Sequence, residues 1–377
     1  MAVIQGPSMK ASSTATIHEF PRRPAPRLVT TPADVVTSLP ERASDYPELR
    51  YMGSKRRLLP WIHQHLRTLD FETVADPFVG SGCVSYMLKC MGKRVVASDF
   101  LNFPATLAAA TVGNNHHHLD GPVIKQLLSA TRGGPSFIER TFSGVFYDLA
   151  DLRFLDRVAH NIEKLAQPQH QALARAALIR SCLKKQPRGV FTFTGNRYDD
   201  GRRDLRLSIE EHFLEQIEAF NKVVFDNGRR HTVKRADVFS LRPRNIDLVY
   251  LDPPYVPRAD DNCYIKRYHF LEGLSCYWRG LEIMKETKVK KIRKLYTPFS
   301  YRRTAVDAFD RLFRVFREST IVLSYSSNGY PDLEELKTIL GRYKQRIDVF
   351  EQAHRYHFGT HDKVERSQVT EYLILGR

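Results

Sequence analysis

A short apolar stretch that runs into Asp252-Pro253-Pro254-Tyr255 constrains this chain more than any other feature. Residues 246–251 are apolar apart from Asp247 and rich in strand-forming side chains, which predicts a buried central strand. Two successive prolines have no N–H to donate, so the hydrogen-bonded ladder must end there. The strand would therefore present a carboxylate, backbone carbonyls and an aromatic ring at its C-terminal edge, where open α/β sheets bind ligands.

These groups suit the methylation of an exocyclic amine on a nucleobase. Such a nitrogen is a weak nucleophile because its lone pair is delocalised into the ring. The Asp252 carboxylate and the Pro253 carbonyl would accept both N–H bonds and direct the lone pair toward an electrophilic methyl group. Tyr255 would stack on a base that has flipped out of its helix. A tetrapeptide alone is also an ordinary strand-ending turn, so the interpretation depends on the rest of the chain.

A second strand, at residues 73–76, leads into a glycine-containing loop. Asp76 ends the strand, Gly80 and Gly82 permit a tight turn, and an apolar helix follows. This pattern predicts the first strand, loop and helix of a doubly wound sheet. Ser85 replaces the third glycine of the dinucleotide fingerprint. That replacement disfavours a nicotinamide-dependent oxidoreductase and leaves a nucleoside site open.

Two more acids follow predicted strands. Asp99 ends the strand that begins near residue 93, and its carboxylate would accept hydrogen bonds from ribose hydroxyls, with Phe100 beside an adenine ring. Asp237, followed by Val238, ends a short strand that begins near residue 231. A helix cap is the alternative role for Asp99, and a plain exposed strand end is the alternative for Asp237.

Four motifs resemble, in composition and order, those of the Dam-like class of N6-adenine DNA methyltransferases: Tyr51-x-Gly53-x-Lys55, Asp76-Pro77-Phe78-x-Gly80-x-Gly82, Ser98-Asp99 and Asp252-Pro253-Pro254-Tyr255. The resemblance covers residues 48–115 and 230–377. It implies a Rossmann-like α/β sheet, mostly parallel with one antiparallel edge strand, and a mainly helical target-recognition insertion. It also implies S-adenosyl-L-methionine as cofactor and double-stranded DNA as partner.

The resemblance carries residue roles with it. It implies that catalysis belongs to Asp252, Pro253, Pro254 and Tyr255. The residues expected around the cofactor are Tyr51, Lys55, Asp76, Phe78, Gly80, Gly82, Asp99, Phe100, Asp237, Val238 and Asp252. No metal is expected, because a sulfonium methyl group needs no metal to activate it.

The expected domain organisation follows from composition and motif order. Residues 1–45 are rich in Ser, Thr, Pro and Ala, which predicts a flexible tail. Residues 46–115 and 231–377 would form the cofactor-binding catalytic domain. Residues 116–230 would form the target-recognition insertion, with a helical stretch at 154–183.

A surplus of positive charge indicates a polyanionic partner. The chain has 58 Lys and Arg against 42 Asp and Glu, a net charge of +16. Basic and aromatic residues alternate over 184–198, and a basic, aromatic-rich segment over 256–303 suggests a lid that touches DNA. A solvated basic surface is the alternative for both. The residues expected to contact DNA are Lys184, Lys185, Arg188, Asn196, Arg197, Lys266 and Arg267.

Composition also limits where the protein works. The sequence has no apolar run long enough for a membrane span and no apolar signal core, and its five cysteines lack a CxxC pairing. We therefore expect a cytoplasmic protein without a disulfide framework. A cognate restriction endonuclease is an expected partner. The same chemistry on RNA adenine or on cytosine N4, and a catalytically inactive nucleic-acid-binding module, remain alternatives.

Overall fold

The computed structural model describes residues 27–28, 38–130, 133–134, 136–193, 199, 201–256, 263–355 and 368–377. A single sheet runs through this part of the chain. Its strands are β1 (Arg27–Leu28), β2 (Thr73–Asp76), β3 (Arg94–Asp99), β4 (Thr232–Arg235), β5 (Leu248–Leu251), β6 (Thr320–Ser326), β7 (Ile347–Arg355) and β8 (Gln368–Gly376).

Helices connect and cover these strands. The α-helices among the described residues are α1 (Leu59–Leu66), α2 (Cys83–Cys90), α3 (Asn102–Thr111), α4 (Gly121–Leu128), α5 (Phe137–Phe142), α6 (Leu149–Glu163), α7 (Pro168–Lys185), α8 (Arg203–Arg206), α9 (Ile209–Lys222), α10 (Tyr264–Cys276), α11 (Arg302–Val315) and α12 (Leu333–Leu340). Short 3-10 turns occur at Glu41–Asp45, Lys55–Leu58, Pro187–Gly189, Val238–Ser240 and Pro298–Ser300. No helix in the described ranges is both long and apolar enough to cross a membrane.

The strands lie in the order β1-β7-β8-β6-β5-β2-β3-β4. All neighbours pair in parallel except those of β8, which runs antiparallel to both β6 and β7. The predicted Rossmann-like methyltransferase fold, mostly parallel with an antiparallel strand toward one edge, is thus confirmed. Because β8 is reversed, its first residues reach the sheet edge at which the parallel strands end, and Glu371 pairs with Ser326 there.

The central strand β5 is buried on both faces, which explains its unbroken apolar sequence. Leu248 and Tyr250 join a large cluster with α1, α2, α3 and the helices of the insertion. Val249 and Leu251 point to the opposite face and pack in a smaller cluster with α11 and α12. The two clusters are the layers above and below the sheet, and they fix which residues emerge at its edge.

The helical region between residues 121 and 222 departs from its predicted boundaries. The single helical stretch expected at 154–183 is two helices, α6 and α7, because Pro168 occupies the first turn of α7. The buried Asp151 carboxylate accepts the N–H of Ile209 at 2.7 Å and forms an ion pair with Lys185. This contact joins the start of α9 to α6 and to the end of α7.

Helix α10 corrects the expectation of a lid over residues 256–303 for the part that forms this helix, Tyr264–Cys276. Tyr268 and Phe270 on this helix are fully buried, and the ring of Phe270 stacks on that of Phe191 at 5.2 Å. The N–H of Phe191 donates to the carbonyl of Arg267 at 2.8 Å. Helix α10 is therefore a core element that fastens the helical region to the sheet, and its buried aromatics do not face DNA.

The segment before the first motif also packs on this core. Residues 41–45, placed in the tail by sequence, form a 3-10 turn in which Ala43 is buried. The hydroxyl of Tyr46 donates to the carbonyl of Ser81 at 2.8 Å, inside the glycine loop. Gly82, in the same loop, has a φ of +81°, and a Cβ there would lie 2.3 Å from the Tyr46 hydroxyl.

We predict that Gly82→Ala destabilises the protein more than Gly92→Ala. Both glycines have positive φ, at +81° and +77°, so alanine at either position adopts an unfavourable conformation at a cost of about 1 kcal/mol. Only Gly82 adds a collision, which should cost roughly 1–3 kcal/mol more, because a Cβ at Gly92 meets nothing within 4 Å. Urea unfolding of both variants measures the difference. Equal losses would contradict the packing of Tyr46 on the loop.

Candidate active site

The C-terminal ends of β2, β3 and β5 open into a cavity of about 890 Å³. This volume lies in the range of small-molecule sites, roughly 300–1,000 Å³. The predicted catalytic and cofactor residues that line it are Tyr51, Lys55, Asp76, Phe78, Gly80, Asp99, Phe100, Asp237, Val238, Asp252, Pro253, Pro254 and Tyr255. Gly82 does not line the cavity and instead supports the loop from behind, against Tyr46.

An ion pair between Lys55 and Asp252 lies in the cavity wall. The Lys55 Nζ is 2.7 Å from Asp252 Oδ1, and the lysine side chain is only 4% exposed. Ser54 positions this lysine, because its side chain accepts the N–H of Arg56 and starts the 3-10 turn. The family resemblance placed Lys55 beside the cofactor. The anion that Lys55 contacts is Asp252, the first residue of the Asp252-Pro253-Pro254-Tyr255 tetrad.

Burial and charge act against each other in this pair. Burial raises the pKa of the Asp252 carboxyl to about 6, although Lys55 lowers it. Burial opposes the charge on Lys55, but Asp252 and Glu371 together bring its pKa above the ordinary value. At neutral pH both groups are therefore charged. Because the pKa of Asp252 is about 6, its carboxylate can both accept hydrogen bonds and take up a proton near neutral pH.

Three contacts hold the ring of Tyr255. Its hydroxyl donates to Glu371 Oε2 at 2.9 Å, and its ring meets Tyr325 edge-on with centroids 4.9 Å apart. Lys55 Nζ lies 4.9 Å from the centre of the same ring. Lys55 thus contacts both Asp252 and Tyr255, the first and last residues of the tetrad.

Glu371 is a functional candidate that sequence reasoning missed. It is fully buried on β8, next to the tetrad. The sequence does contain a sign of its role. Glu371 is separated by an even number of residues from Val369, Leu373 and Leu375, so its side chain points to the same buried face of the strand. A lone acid at an inward position of an apolar strand indicates a specific partner.

Asp76 shapes the glycine loop from beneath. It is 1% exposed, and its carboxylate accepts the Ser85 hydroxyl at 2.5 Å and the N–H of Phe78 at 3.2 Å. Burial raises the pKa of Asp76 to about 7. Above it, Gly80 has a φ of +52°, and a Cβ there would lie 3.1 Å from the ring of Tyr51. The loop therefore fits closely beneath that ring.

Asp99 connects two strand ends at the other end of the cavity. Its carboxylate accepts the N–H groups of Gly80 at 3.0 Å and of Leu101 at 2.9 Å. Burial raises the pKa of Asp99 to about 7, against the effect of these hydrogen bonds. Helix α3 begins just beyond, and the buried Glu272 of α10 accepts the N–H of Asn102 at 2.8 Å. Glu272 is a second acid that sequence reasoning missed.

Helix α10 also supplies an aromatic wall. The ring of Tyr51 stacks on Tyr264 at 5.5 Å and on Tyr268 at 5.1 Å. The Tyr268 hydroxyl accepts the N–H of Met52 at 2.7 Å. Tyr51, expected to flank a ligand, is therefore held in position by residues more than 200 positions later in the chain.

The residues expected to contact DNA fall into three groups. Arg267 lines the cavity, and Lys266 is half-buried beside it. Lys184 is 3.1 Å from Asp204, and Lys185 pairs with Asp151, so both charges also serve contacts within the protein. Asn196, Arg197 and the side chain of Arg188 lie outside the described residues.

We predict that the pKa of Asp252 depends on Lys55. Replacing Lys55 by Met removes the cation that lowers this pKa, so the titration midpoint should move from about 6 toward higher pH. Carbon-13 NMR of labelled aspartate carboxyls measures it, with the resonance assigned by loss in Asp252→Asn. Lys93→Met, at a lysine that bonds the Phe71 carbonyl, is the matched control. A midpoint unchanged in Lys55→Met would contradict the pairing.

Comparisons with known proteins agree with this geometry. The model of the D12 class N6 adenine-specific DNA methyltransferase family matches residues 51–321. The type II methyltransferase M2.HphI of Haemophilus parahaemolyticus is 31% identical over 347 residues, which cover 88% of this chain and 97% of the relative.

Two more distant relatives are longer proteins. The modification methylases LlaI of Lactococcus lactis subsp. lactis and StsI of Streptococcus sanguinis are each 22% identical over 78% of this chain. The matches cover 49% and 46% of those relatives, so this chain spans about half of their length. The match along residues 51–321 includes all four motifs and most of the cavity wall. The chain therefore belongs to the D12 class N6 adenine-specific DNA methyltransferase family.

Proposed function

We propose that this protein transfers the methyl group of S-adenosyl-L-methionine to N6 of adenine in double-stranded DNA, with Asp252 as the acceptor that holds the target amine. The Lys55–Asp252 ion pair at 2.7 Å in the cavity carries this proposal. It supplies a charged, oriented oxygen acceptor beside Pro253 and Tyr255. Family membership supports DNA adenine as the substrate.

The cavity residues fit S-adenosylmethionine. A half-buried carboxylate, Asp99, lies at one end with Phe100 next to it, and the loop at Gly80 leaves no room for a side chain beneath Tyr51. Asp99 would hold the ribose hydroxyls, and Phe100 and Val238 would flank the adenine. When bound, the cofactor supplies a methyl group made electrophilic by the sulfonium. A cavity of about 890 Å³ also leaves space for a flipped base.

The residues around Asp252 would position the target nitrogen. The Asp252 carboxylate and the Pro253 carbonyl accept its two N–H groups, and Lys55 keeps the carboxylate charged and oriented. Because the pKa of Asp252 is about 6, this group is also suited to accept the proton that N6 loses once the carbon–nitrogen bond has formed. Tyr255 would stack on the base.

We predict that Asp252→Ala abolishes methyl transfer while the protein still binds the cofactor. Loss of an oriented acceptor and base should lower the rate by at least about a hundredfold. The assay is tritiated methyl incorporation into unmethylated genomic DNA and into RNA, with nucleoside analysis of the product. Glu318→Ala removes an acid that is 85% exposed and should leave the rate unchanged.

The same assay separates the alternatives. N6-methyladenine in DNA supports the proposal, and sequencing of that DNA locates the methylated site. Label found only in RNA, or as N4-methylcytosine, would support methyl transfer to an exocyclic amine but contradict DNA adenine as the substrate. Cofactor binding without any transfer favours an inactive binding module. An Asp252→Ala variant with normal activity would refute the mechanism.

We further predict that Tyr255 and Glu371 act as a unit. Tyr255→Phe keeps the ring but loses the hydrogen bond to Glu371, which should slow methylation about tenfold. Glu371→Gln preserves an acceptor and should be milder than Glu371→Ala. In a double-mutant cycle, Tyr255→Phe combined with Glu371→Ala should be no slower than the slower single variant. Fully multiplicative losses would argue against coupling through this bond.

The proposal includes the domain roles and partners. Residues 46–115 and 231–377 would bind cofactor and base, and residues 116–230 would recognise the DNA site together with Lys266 and Arg267. The named relatives are type II and modification methylases, which supports a site-specific enzyme in a restriction–modification system with a cognate endonuclease. Its genomic substrate supports a cytoplasmic location.

A further inference from the structure

Two adjacent apolar side chains are exposed at the mouth of the cavity. Leu295 is 38% and Tyr296 is 51% exposed, and Leu295 also lines the cavity. Two other large apolar side chains stand out as exposed in the described ranges, Leu149 and Leu214, and neither lines the cavity. Isolated exposed apolar residues are ordinary, but an adjacent pair beside a binding cavity indicates a contact surface.

Both ends of the segment that carries this pair are anchored. On one side Ile292 is buried and forms a β-bridge with Ile283, and Arg293 N donates to the Glu282 carbonyl at 3.0 Å. On the other side Phe299 is buried, and its ring meets Phe78, which lines the same cavity. The protein thus holds Leu295 and Tyr296 outward at a fixed place on the rim.

One cation lies beside the exposed Tyr296 ring, and another lies over the neighbouring Tyr301 ring. Lys294 Nζ lies 5.7 Å from the centre of the Tyr296 ring, and the Tyr296 and Tyr301 rings are 5.4 Å apart. Arg303 lies over Tyr301 at 5.3 Å. The positive charges of Lys294 and Arg303 thus lie close to the two rings. An apolar tip within a positive rim is complementary to duplex DNA, whose stacked bases lie between phosphates.

We propose that Tyr296, supported by Leu295, inserts into the base stack of duplex DNA and fills the space left by the target adenine. The inference rests on the proposed function, because it supplies a step that a flipping enzyme needs. Extruding a paired base costs unstacking and unpairing free energy. An inserted aromatic or aliphatic side chain offsets part of that cost by replacing the lost stacking contacts. Tyr296 is assigned the insertion, since it is the more exposed of the two.

The test compares Tyr296→Ala on two duplexes that contain the methylated site. In one, the target adenine is paired with thymine; in the other, it faces an abasic position and is already unpaired. Tyr296→Ala should lose roughly ten- to a hundredfold in kcat/KM on the paired duplex and recover to within about threefold of wild type on the unpaired one. Tyr296→Phe, which keeps the ring, should stay close to wild type on both duplexes.

Matched variants separate insertion from a general loss of apolar surface. Leu295→Ala should show a smaller loss with the same recovery. Leu333→Ala, at a half-buried leucine on α12 that does not line the cavity, should match wild type on both duplexes. Fluorescence of 2-aminopurine at the target position reports extrusion directly and should fall in Tyr296→Ala.

Each remaining outcome overturns the inference. Unchanged activity of Tyr296→Ala on the paired duplex refutes insertion. An equal loss on both duplexes indicates a backbone contact or a folding defect instead. Either result leaves the proposed function standing, because the wild-type protein still methylates DNA. A wild-type protein that methylates neither duplex refutes the proposed function and the insertion together.

Discussion

The buried ion pair between Lys55 and Asp252 is the interaction on which the site depends. Removing two charges from water is costly unless each satisfies the other, so the pair constrains both segments that carry it. It ties the turn after Ser54 to the end of the central strand, and it leaves the Asp252 carboxylate charged in the cavity wall. Tyr255 and Glu371 extend this arrangement, because Lys55 lies over the Tyr255 ring and Glu371 accepts the Tyr255 hydroxyl.

Local sequence was sufficient for the parts of the site that depend on strand ends. Prolines stop β5, glycines shape the loop after β2, and acids at strand ends meet at one edge because parallel strands end there. Tertiary packing decided the rest. Most of helix α10 is buried, but its sequence mixes aromatic and charged residues, so it suggested a DNA-facing lid. Glu272 and Glu371 acquire their roles from partners distant in sequence.

The same distinction applies to charge. A net charge of +16 predicts a polyanionic partner without saying which cations face it. Lys184 and Lys185 belong to a basic stretch of the sequence, yet both pair with acids of the helical region. Arg267 was one basic residue among many in sequence, and helix α10 places it at the cavity. Only the fold separates cations that hold the protein together from cations that face a ligand.

The reversed strand β8 has a consequence for how the enzyme tolerates insertions and deletions. Side chains alternate between the two faces of a strand, so a slip of β8 by one residue against β6 and β7 would keep most backbone hydrogen bonds. It would also turn Glu371 to the opposite layer and bring Tyr372 inward. The apolar alternation of Val369, Leu373 and Leu375 specifies the correct alignment. Core packing thus sets the register that places an acid beside Tyr255. An insertion or deletion inside β8 would remove Glu371 from Tyr255 while preserving the sheet.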